Sequence, residues 1–341
     1  MTSIAIVGCG HWGKNHLRNM SAMNVDITIC DSDRTQLTIL KDQYQVRNAT
    51  TKFSDILSDK NIQGVILATP SQTHFPMARE ILLSGKDVLI EKPMTLEYHE
   101  SVELHQLANQ MNLILMVGHV FRYNAAVIKL KELIQLGSLG DIRYAYSTRL
   151  NMGIIRNEEN VLMNSSPHDV SIILNLMGEL PISVSATGGA YLQPGIADFT
   201  SCTLNFNDGK KALIFVSWLY PAKERKLVVV GSRKMAVFDD IDPIHKLVIY
   251  DNGLEYIDGK PVAHMPPPET VTVDNTEPLR IEDAHFLECI HTRSSPVTDG
   301  AEALRVMSVL QACQESLDRN GESVTVKIGS TSKPQSENPD S

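Results

Sequence analysis

Apolar and amphipathic stretches alternate along the first 118 residues of the chain. Short apolar runs that are typical of buried strands occupy residues 4–7, 25–30, 63–68, 87–90 and 113–117. Helix-like patterns lie between them, most clearly over 73–84 and 96–110. This alternation predicts a parallel sheet with helices on both faces. We therefore predict a doubly wound α/β domain over residues 1–118.

The pattern changes after Gly118. A helix is predicted over 124–136 and a strand over 142–150. Alternating strand patterns then follow at 183–188, 199–206, 211–219, 226–231, 234–238 and 246–250. Two further helices are predicted over 281–292 and 301–319. Residues 119–328 are thus predicted to form an α+β domain with a large, mainly antiparallel open sheet, and the polar segment 329–341 is predicted to be disordered.

Composition excludes several classes of function. The 341 residues are 43% hydrophobic and 21% charged, with a net charge of −9 and dispersed Lys and Arg, so no nucleic-acid partner is expected. The longest apolar stretch, 212–220, is too short to cross a membrane as a helix. The five cysteines form no C-x-x-C pair, so neither a disulfide framework nor a metal site is expected, and a cytoplasmic location is predicted.

The first predicted strand leads directly into Gly8-x-Gly10-x-x-Gly13, with His11 and Trp12 inside the motif. A strand, a glycine-rich turn and a helix in this order bind the pyrophosphate of a dinucleotide. The second predicted strand ends at Asp31, where a carboxylate accepts hydrogen bonds from the adenosine ribose and repels a 2′-phosphate. The motif predicts NAD as the cofactor, although Arg34 nearby weakens the exclusion of NADP.

A second motif, Glu91-Lys92-Pro93, follows the predicted strand 87–90, and His119, Arg122 and Tyr123 follow the last strand of the first domain. With the glycine motif and the later antiparallel sheet, these residues resemble the Gfo/Idh/MocA oxidoreductase family. The resemblance implies a Rossmann domain, and a homodimer or homotetramer assembled through the C-terminal sheet. It also implies cofactor contacts from these further residues: Thr69, Pro70, His74, Glu91 and Lys92.

The segments 10–15, 148–153 and 166–169 resemble the branch of that family that oxidises UDP-N-acetylglucosamine, or its uronate, at C3. The resemblance implies a nucleotide-sugar substrate. The residues expected to contact this substrate are Lys92, Arg122, Tyr123, Arg149, Asn151, Arg156, Asn164 and His168.

Alcohol oxidation needs an acceptor for the hydroxyl proton and a group that stabilises the oxygen. Lys92 is assigned to the reacting hydroxyl and His168 to the general base. Many relatives that act on free sugars carry Asp where this chain has Asn164, so a proton relay through that position is in doubt. Ser165, Ser166 and Pro167 predict a helix start, which places Asn164 and His168 on one face.

Three other functions fit parts of this pattern. A dehydrogenase of a free sugar, sugar phosphate or inositol needs the same Lys92 and His168. A non-catalytic NAD(H) sensor needs neither residue. A reductase of imines or enones does not need His168 beside Asn164.

Overall fold

The computed structural model describes residues 2–153, 155–157, 159–251, 254–263 and 266–328. The predicted disorder of 329–341 lies outside these residues. The N-terminal half forms a six-stranded parallel sheet with the strand order β3-β2-β1-β4-β5-β6. Its strands are β1 (Thr2–Val7), β2 (Val25–Cys30), β3 (Asn48–Thr50), β4 (Gly64–Leu67), β5 (Asp87–Ile90) and β6 (Leu115–Val117).

Helices cover both faces of this sheet, as the alternation predicted. They are α1 (His11–Ser21), α2 (Arg34–Tyr44), α3 (Phe53–Ser58), α4 (His74–Leu83) and α5 (Tyr98–Met111). The strand order reverses between β1 and β4, and in such sheets ligands bind outside the carboxyl ends of the strands at this point. The glycine motif lies at the carboxyl end of β1, and Glu91 and Lys92 follow the carboxyl end of β5.

The C-terminal half is organised around a nine-stranded sheet with the order β16-β13-β12-β11-β7-β10-β9-β8-β17. The strands are β7 (Ile142–Leu150), β8 (Ser183–Gly189), β9 (Phe199–Asn205), β10 (Lys211–Ser217), β11 (Glu224–Gly231), β12 (Lys234–Asp239), β13 (Leu247–Asp251), β16 (Glu269–Thr270) and β17 (Val324–Thr325). Strands β14 (Leu254–Ile257) and β15 (Lys260–Ala263) form a separate hairpin. Only β7 and β10 pair in parallel, so the predicted mainly antiparallel sheet is confirmed.

Helix α6 (Ala125–Gln135) precedes this sheet and α7 (Val161–Met177) packs on it. The predicted start of α7 at Ser165–Pro167 is wrong. The helix begins at Val161, because the side chain of Asn160 accepts a hydrogen bond from the Met163 amide at 3.1 Å and caps the first turn. Pro167 therefore lies inside the helix, where it cannot donate a backbone hydrogen bond.

The last two helices return to the N-terminal sheet. Helix α8 (Pro278–Thr292) packs on α1, and α9 (Gly300–Asp318) packs on α5 and α7. Phe286 and Ile290 of α8 join the buried cluster that contains Ile4 and Ile6 of β1. The division at residue 118 stays a prediction, but the core of the first domain is completed by residues far beyond it. No helix in the described part of the chain is long and apolar enough to cross a membrane.

Candidate active site

The glycine turn between β1 and α1 is built for close backbone packing. Gly8 has a φ of +86°, and a Cβ there would lie 2.7 Å from the backbone of Ala68. A Cβ on Gly13 would lie 1.8 Å from the carbonyl oxygen of Gly8. Gly10, in contrast, faces open space and precedes the first turn of α1, which has no side-chain cap. The backbone N–H groups of the first turn of α1 therefore suit an anion such as a pyrophosphate.

Asp31 stands beside the glycine turn, at the end of β2. Its Oδ2 accepts a hydrogen bond from the amide of Cys9 at 2.6 Å, and its Oδ1 accepts one from the amide of Asp33 at 2.9 Å. These bonds fix the carboxylate at the sheet edge, and each oxygen keeps a lone pair for a further donor. The residues at this edge fit the adenosine ribose and pyrophosphate of NAD.

Lys92 extends from the end of β5 toward α7. Its Nζ donates a hydrogen bond to the carbonyl oxygen of Asn164 at 2.7 Å. Burial lowers the pKa of the Lys92 ammonium, although the nearby carboxylates of Glu159 and Glu91 act in the opposite direction. The amide of Lys92 donates to Oε2 of the buried Glu91 at 3.1 Å. Backbone and side chain of Lys92 are thus both anchored.

His168 lies four residues after Asn164 on α7, so both side chains are on the face of the helix toward Lys92. The imidazole is 8% exposed, and its Nδ1 has no hydrogen-bond partner among the described residues. Its ring packs edge-on against Phe121, with the centroids 5.1 Å apart. Burial lowers the pKa of His168 well below its usual value, and the charges of Lys92 and Arg149 lower it further.

One cavity of about 520 Å³ joins these groups at the junction of the two sheets. Eight of the predicted site residues line it: His11, Trp12, Lys92, Arg149, Asn151, Arg156, Asn164 and His168. Its lining also includes Glu277, Pro278 and Leu279, from the start of α8. The cavity is large enough for a substrate of several rings or groups.

Several cations surround the cavity. The Arg149 guanidinium pairs with Asp169 at 2.8 Å and lies 4.7 Å from the ring centroid of Phe121. Arg225 pairs with Asp240 at 3.2 Å. Arg156 also lines the cavity and is exposed. The cavity therefore has a positively charged wall, although two of these cations already have carboxylate partners.

Glu159 connects the segment before α7 with both halves of the molecule. Its Oε1 accepts from the side-chain amide of Asn164 at 2.7 Å, and its Oε2 accepts from the hydroxyl of Ser71 at 2.9 Å. The carboxylate also lies close enough to favour the charged form of Lys92. The amide side chain at position 164 therefore has a carboxylate partner from its own segment.

Two family models match this architecture. Residues 2–119 match the model described as oxidoreductase family, NAD-binding Rossmann fold, and residues 127–237 match the Gfo/Idh/MocA C-terminal domain. The chain belongs to the Gfo/Idh/MocA family. It is accordingly an NAD-dependent oxidoreductase, and the predicted cofactor is confirmed.

Named relatives span almost the whole chain. UDP-N-acetylglucosamine 3-dehydrogenase from Acidithiobacillus ferrooxidans is 26% identical over 304 residues, which cover 89% of this chain and 93% of that protein. A solved structure of that enzyme aligns with a TM-score of 0.81 at 24% identity and covers 93% of this chain and 97% of the other. The NAD-dependent scyllo-inositol 2-dehydrogenase of Bacillus subtilis is 24% identical, with 95% and 96% coverage.

Two predicted substrate contacts do not reach the cavity in this Gfo/Idh/MocA member. Arg122 instead donates a hydrogen bond to Glu302 at 2.9 Å. The same carboxylate, at the start of α9, also pairs with His119. Tyr123 is buried, and its hydroxyl lies 3.4 Å from the Thr298 hydroxyl. Both residues belong to the packing between the sheets.

The predicted cofactor residues near β4 occupy two kinds of position. Thr69 and Pro70 follow the carboxyl end of β4, at the edge where the family binds NAD. His74 is buried, and its ring nitrogens lie 2.8 Å from the Pro93 carbonyl oxygen and 2.9 Å from that of Thr69. His74 therefore joins these two segments and does not face the cavity.

Several cavity residues were not predicted from the sequence: Phe121, Trp218, Arg225, Asp240 and Glu277 are examples. Arg225 is the antiparallel partner of Arg149 in the pairing of β11 with β7. This pairing joins residues 76 positions apart in number, so no local motif signals it. Trp218 directly follows β10, and a tryptophan at a strand end was the one sequence signal available.

Proposed function

We propose that the protein oxidises the C3 hydroxyl of UDP-N-acetylglucosamine, or of its uronate, to a ketone. The observation that carries the proposal is the single cavity in which Lys92, His168 and a wall of arginines meet. The named similarity to a UDP-N-acetylglucosamine 3-dehydrogenase supports the sugar and the position of oxidation. A diphosphate carries negative charge that arginine side chains can bind in a bidentate way.

In this proposal Lys92 donates a hydrogen bond to the reacting hydroxyl oxygen, which it can do in either protonation state. The donor stabilises negative charge on that oxygen as the proton leaves. His168 accepts the proton, because its lowered pKa keeps the imidazole neutral and its side chain lines the cavity. The glycine turn and Asp31 would hold NAD, which would supply the hydride acceptor.

Asn164 and Glu159 complete this side of the site. The Asn164 amide cannot accept a proton, so the relay in doubt at that position is not part of the proposed mechanism. Asn164 instead holds two neighbours in place. Its backbone carbonyl oxygen accepts from Lys92, and its side-chain amide donates to Glu159. Asn151 and Arg149 are proposed to contact the sugar and the diphosphate.

The test measures NADH formation from UDP-N-acetylglucosamine and from its uronate, with an aminotransferase present to consume the ketone. Substrate deuterated at C3 should transfer its label to the nicotinamide, and the Lys92→Met variant serves as the inactive control. Transfer of deuterium from substrate labelled at C4 would contradict the proposal. Activity on free sugars alone would contradict it as well.

A dehydrogenase of free sugars or inositols is the second candidate. The observation in its favour is that Arg149 and Arg225 are already paired with Asp169 and Asp240, as an uncharged substrate allows. Relatives include an inositol dehydrogenase of similar length. Parallel assays with scyllo-inositol and N-acetylglucosamine distinguish the two candidates.

We also propose that the protein forms a homodimer or homotetramer through the nine-stranded sheet. Helices cover one face of this sheet, whereas Tyr144, Tyr146 and Leu213 on β7 and β10 are exposed on the other. Apolar side chains that cluster on an open sheet face mark an interaction surface. A second copy of the chain is the proposed occupant.

A further inference from the structure

A buried polar cluster beneath the cavity takes no part in the chemistry described so far. His16 of α1, Glu91 after β5, and Asp283 and Glu282 of α8 are all less than 10% exposed. The Nδ1 of His16 lies 2.6 Å from Oδ1 of Asp283, and its Nε2 lies 3.1 Å from Oε1 of Glu91. Buried ionisable groups are costly unless they are paired, so this arrangement calls for an explanation.

The geometry fixes where the protons lie. A carboxylate only accepts hydrogen bonds, so the short contact between Asp283 and Nδ1 of His16 contains one proton. Because the carboxylate of Glu91 is also an acceptor, Nε2 of His16 carries a hydrogen and donates it to Glu91. Both ring nitrogens thus face carboxylates, and the charge of Asp283 stabilises the doubly protonated imidazolium that can donate to both.

The charges around the cluster agree with this assignment. Burial disfavours the charged forms of His16 and Glu91, but Asp283 raises the pKa of His16 and the hydrogen bond from His16 lowers the pKa of Glu91. Glu282 lies beside them, and burial together with the charge of Glu91 raises its pKa well above the usual value. Three other groups face the cluster. Asn19 faces Asp283, Tyr123 faces Glu282, and Lys92 faces Glu91.

Glu91 transmits this arrangement to Lys92. One oxygen of its carboxylate accepts from His16, and the other accepts from the amide of Lys92 at 3.1 Å. A Cβ on Gly118 would lie 3.2 Å from that second oxygen, so the backbone at Gly118 packs closely against the carboxylate. Rotation of Glu91 away from His16 would therefore release the backbone of Lys92.

We propose that Asp283 and His16 act as a positioning pair: they keep an N–H bond directed at Glu91, and Glu91 then holds Lys92 in place against the reacting hydroxyl. The inference rests on the proposed role of Lys92, but not on which alcohol is the substrate. The pair also joins α8, whose first residues line the cavity, to the strand end that carries Lys92.

The test uses the full-length Asp283→Asn enzyme and whichever alcohol reduces NAD in the assay above. The amide removes the charge that stabilises the His16 imidazolium, so the pKa of His16 is lower in the variant than in the wild type. Above that pKa the ring is neutral and its N–H holds Glu91 less strongly, whereas at lower pH the imidazolium and its charged hydrogen bond are restored. We expect the ratio of variant to wild-type kcat to fall at least about tenfold as the pH rises, the size of the difference between a charged and a neutral hydrogen bond. KM should change little.

A spectroscopic measurement makes the test independent of turnover. In enzyme labelled with ¹⁵N-histidine, the His16 ring signals should not change across the ordinary histidine pKa of about 6.5 in the wild type, whereas those of Asp283→Asn should titrate at a lower pH than those of the wild type. The His16→Gln variant assigns these signals. It also tests the proposal if the first variant does not fold. Because glutamine does not titrate, the ratio of His16→Gln kcat to wild-type kcat should be below one and independent of pH.

The Arg79→Gln variant is the matched control. Arg79 joins α4 to α5 through an exposed pair with Glu103, and neither residue lines the cavity or belongs to the cluster. It should leave kcat and its pH dependence unchanged. A pH-independent ratio in Asp283→Asn with normal kcat overturns the positioning role, even if the ¹⁵N signals change as expected. Failure of every nucleotide sugar overturns only the proposed substrate.

Discussion

Asp31 decides the cofactor at the scale of one residue. Its carboxylate is fixed beside the glycine turn by the amides of Cys9 and Asp33. We expect NAD to bind more tightly than NADP by about 1 kcal/mol or more, the size of one charged hydrogen bond. Fluorescence titration with NADH and NADPH measures the difference. The Asp31→Asn variant, which removes only the negative charge of the side chain, should reduce the difference between the affinities for NAD and NADP. Equal affinities of the wild type for the two cofactors would contradict the role assigned to Asp31.

Lys92 and His168 carry the proposed chemistry. Lys92→Met and His168→Ala should each lower kcat by roughly 100-fold or more, because each removes one electrostatic or acid–base contribution. NAD affinity should change little in either variant. Steady-state kinetics together with NADH titration separates the two effects. If His168→Ala turns over at the wild-type rate, another group accepts the proton.

The buried position of His168 also predicts a pH dependence. Because burial and nearby cations lower its pKa, the imidazole stays neutral, and able to accept a proton, at more acidic pH than usual. We expect the acid limb of kcat/KM to lie below about pH 6.5, the ordinary histidine pKa. The pH profile of the wild type measures this limb, and an acid limb above that value would contradict the base assignment.

At the scale of an element, the turn from β1 to α1 depends on one close approach. A Cβ on Gly13 would overlap the carbonyl oxygen of Gly8, so Gly13→Ala must separate helix from strand. We expect a loss of about 1–3 kcal/mol of stability, as for other overpacked sites, together with weaker NAD binding. Thermal unfolding of the enzyme without NAD gives the first effect. Gly10→Ala, whose Cβ meets open space, should leave that stability unchanged.

Sequence patterns predicted the elements well where periodicity and local motifs coincide. Both sheets, the glycine turn and the position of Lys92 at a strand end follow from local residues. The start of α7 was not predicted correctly, because the residues Ser165–Pro167 resemble a helix start as closely as Asn160 does. Only the hydrogen bond to the side chain of Asn160, seen in the structure, shows where the helix begins. Arg122 was misplaced because Glu302, its partner, lies 180 residues away. The pair of His16 and Asp283, 267 residues apart, was beyond any local pattern.

At the scale of the whole molecule, the open face of the nine-stranded sheet predicts assembly. Tyr146 and Leu213 are register partners on β7 and β10, and both side chains are about 40% exposed. We expect sedimentation at micromolar concentration to give a dimer or tetramer. A Leu213→Lys variant should dissociate while it keeps NAD binding, because it places a charge on the interface. A wild-type monomer would contradict the proposed assembly.

The return of α8 to the first sheet has a consequence for biosynthesis. Phe286 is fully buried in the cluster with Ile4 and Ile6, and a Cβ on Gly64 would lie 2.7 Å from Ile290. The N-terminal sheet therefore keeps an apolar surface uncovered until residues near 290 have left the ribosome. Because this contact joins residues more than 200 positions apart, we expect the nascent N-terminal domain to complete its core only after α8 has been synthesised.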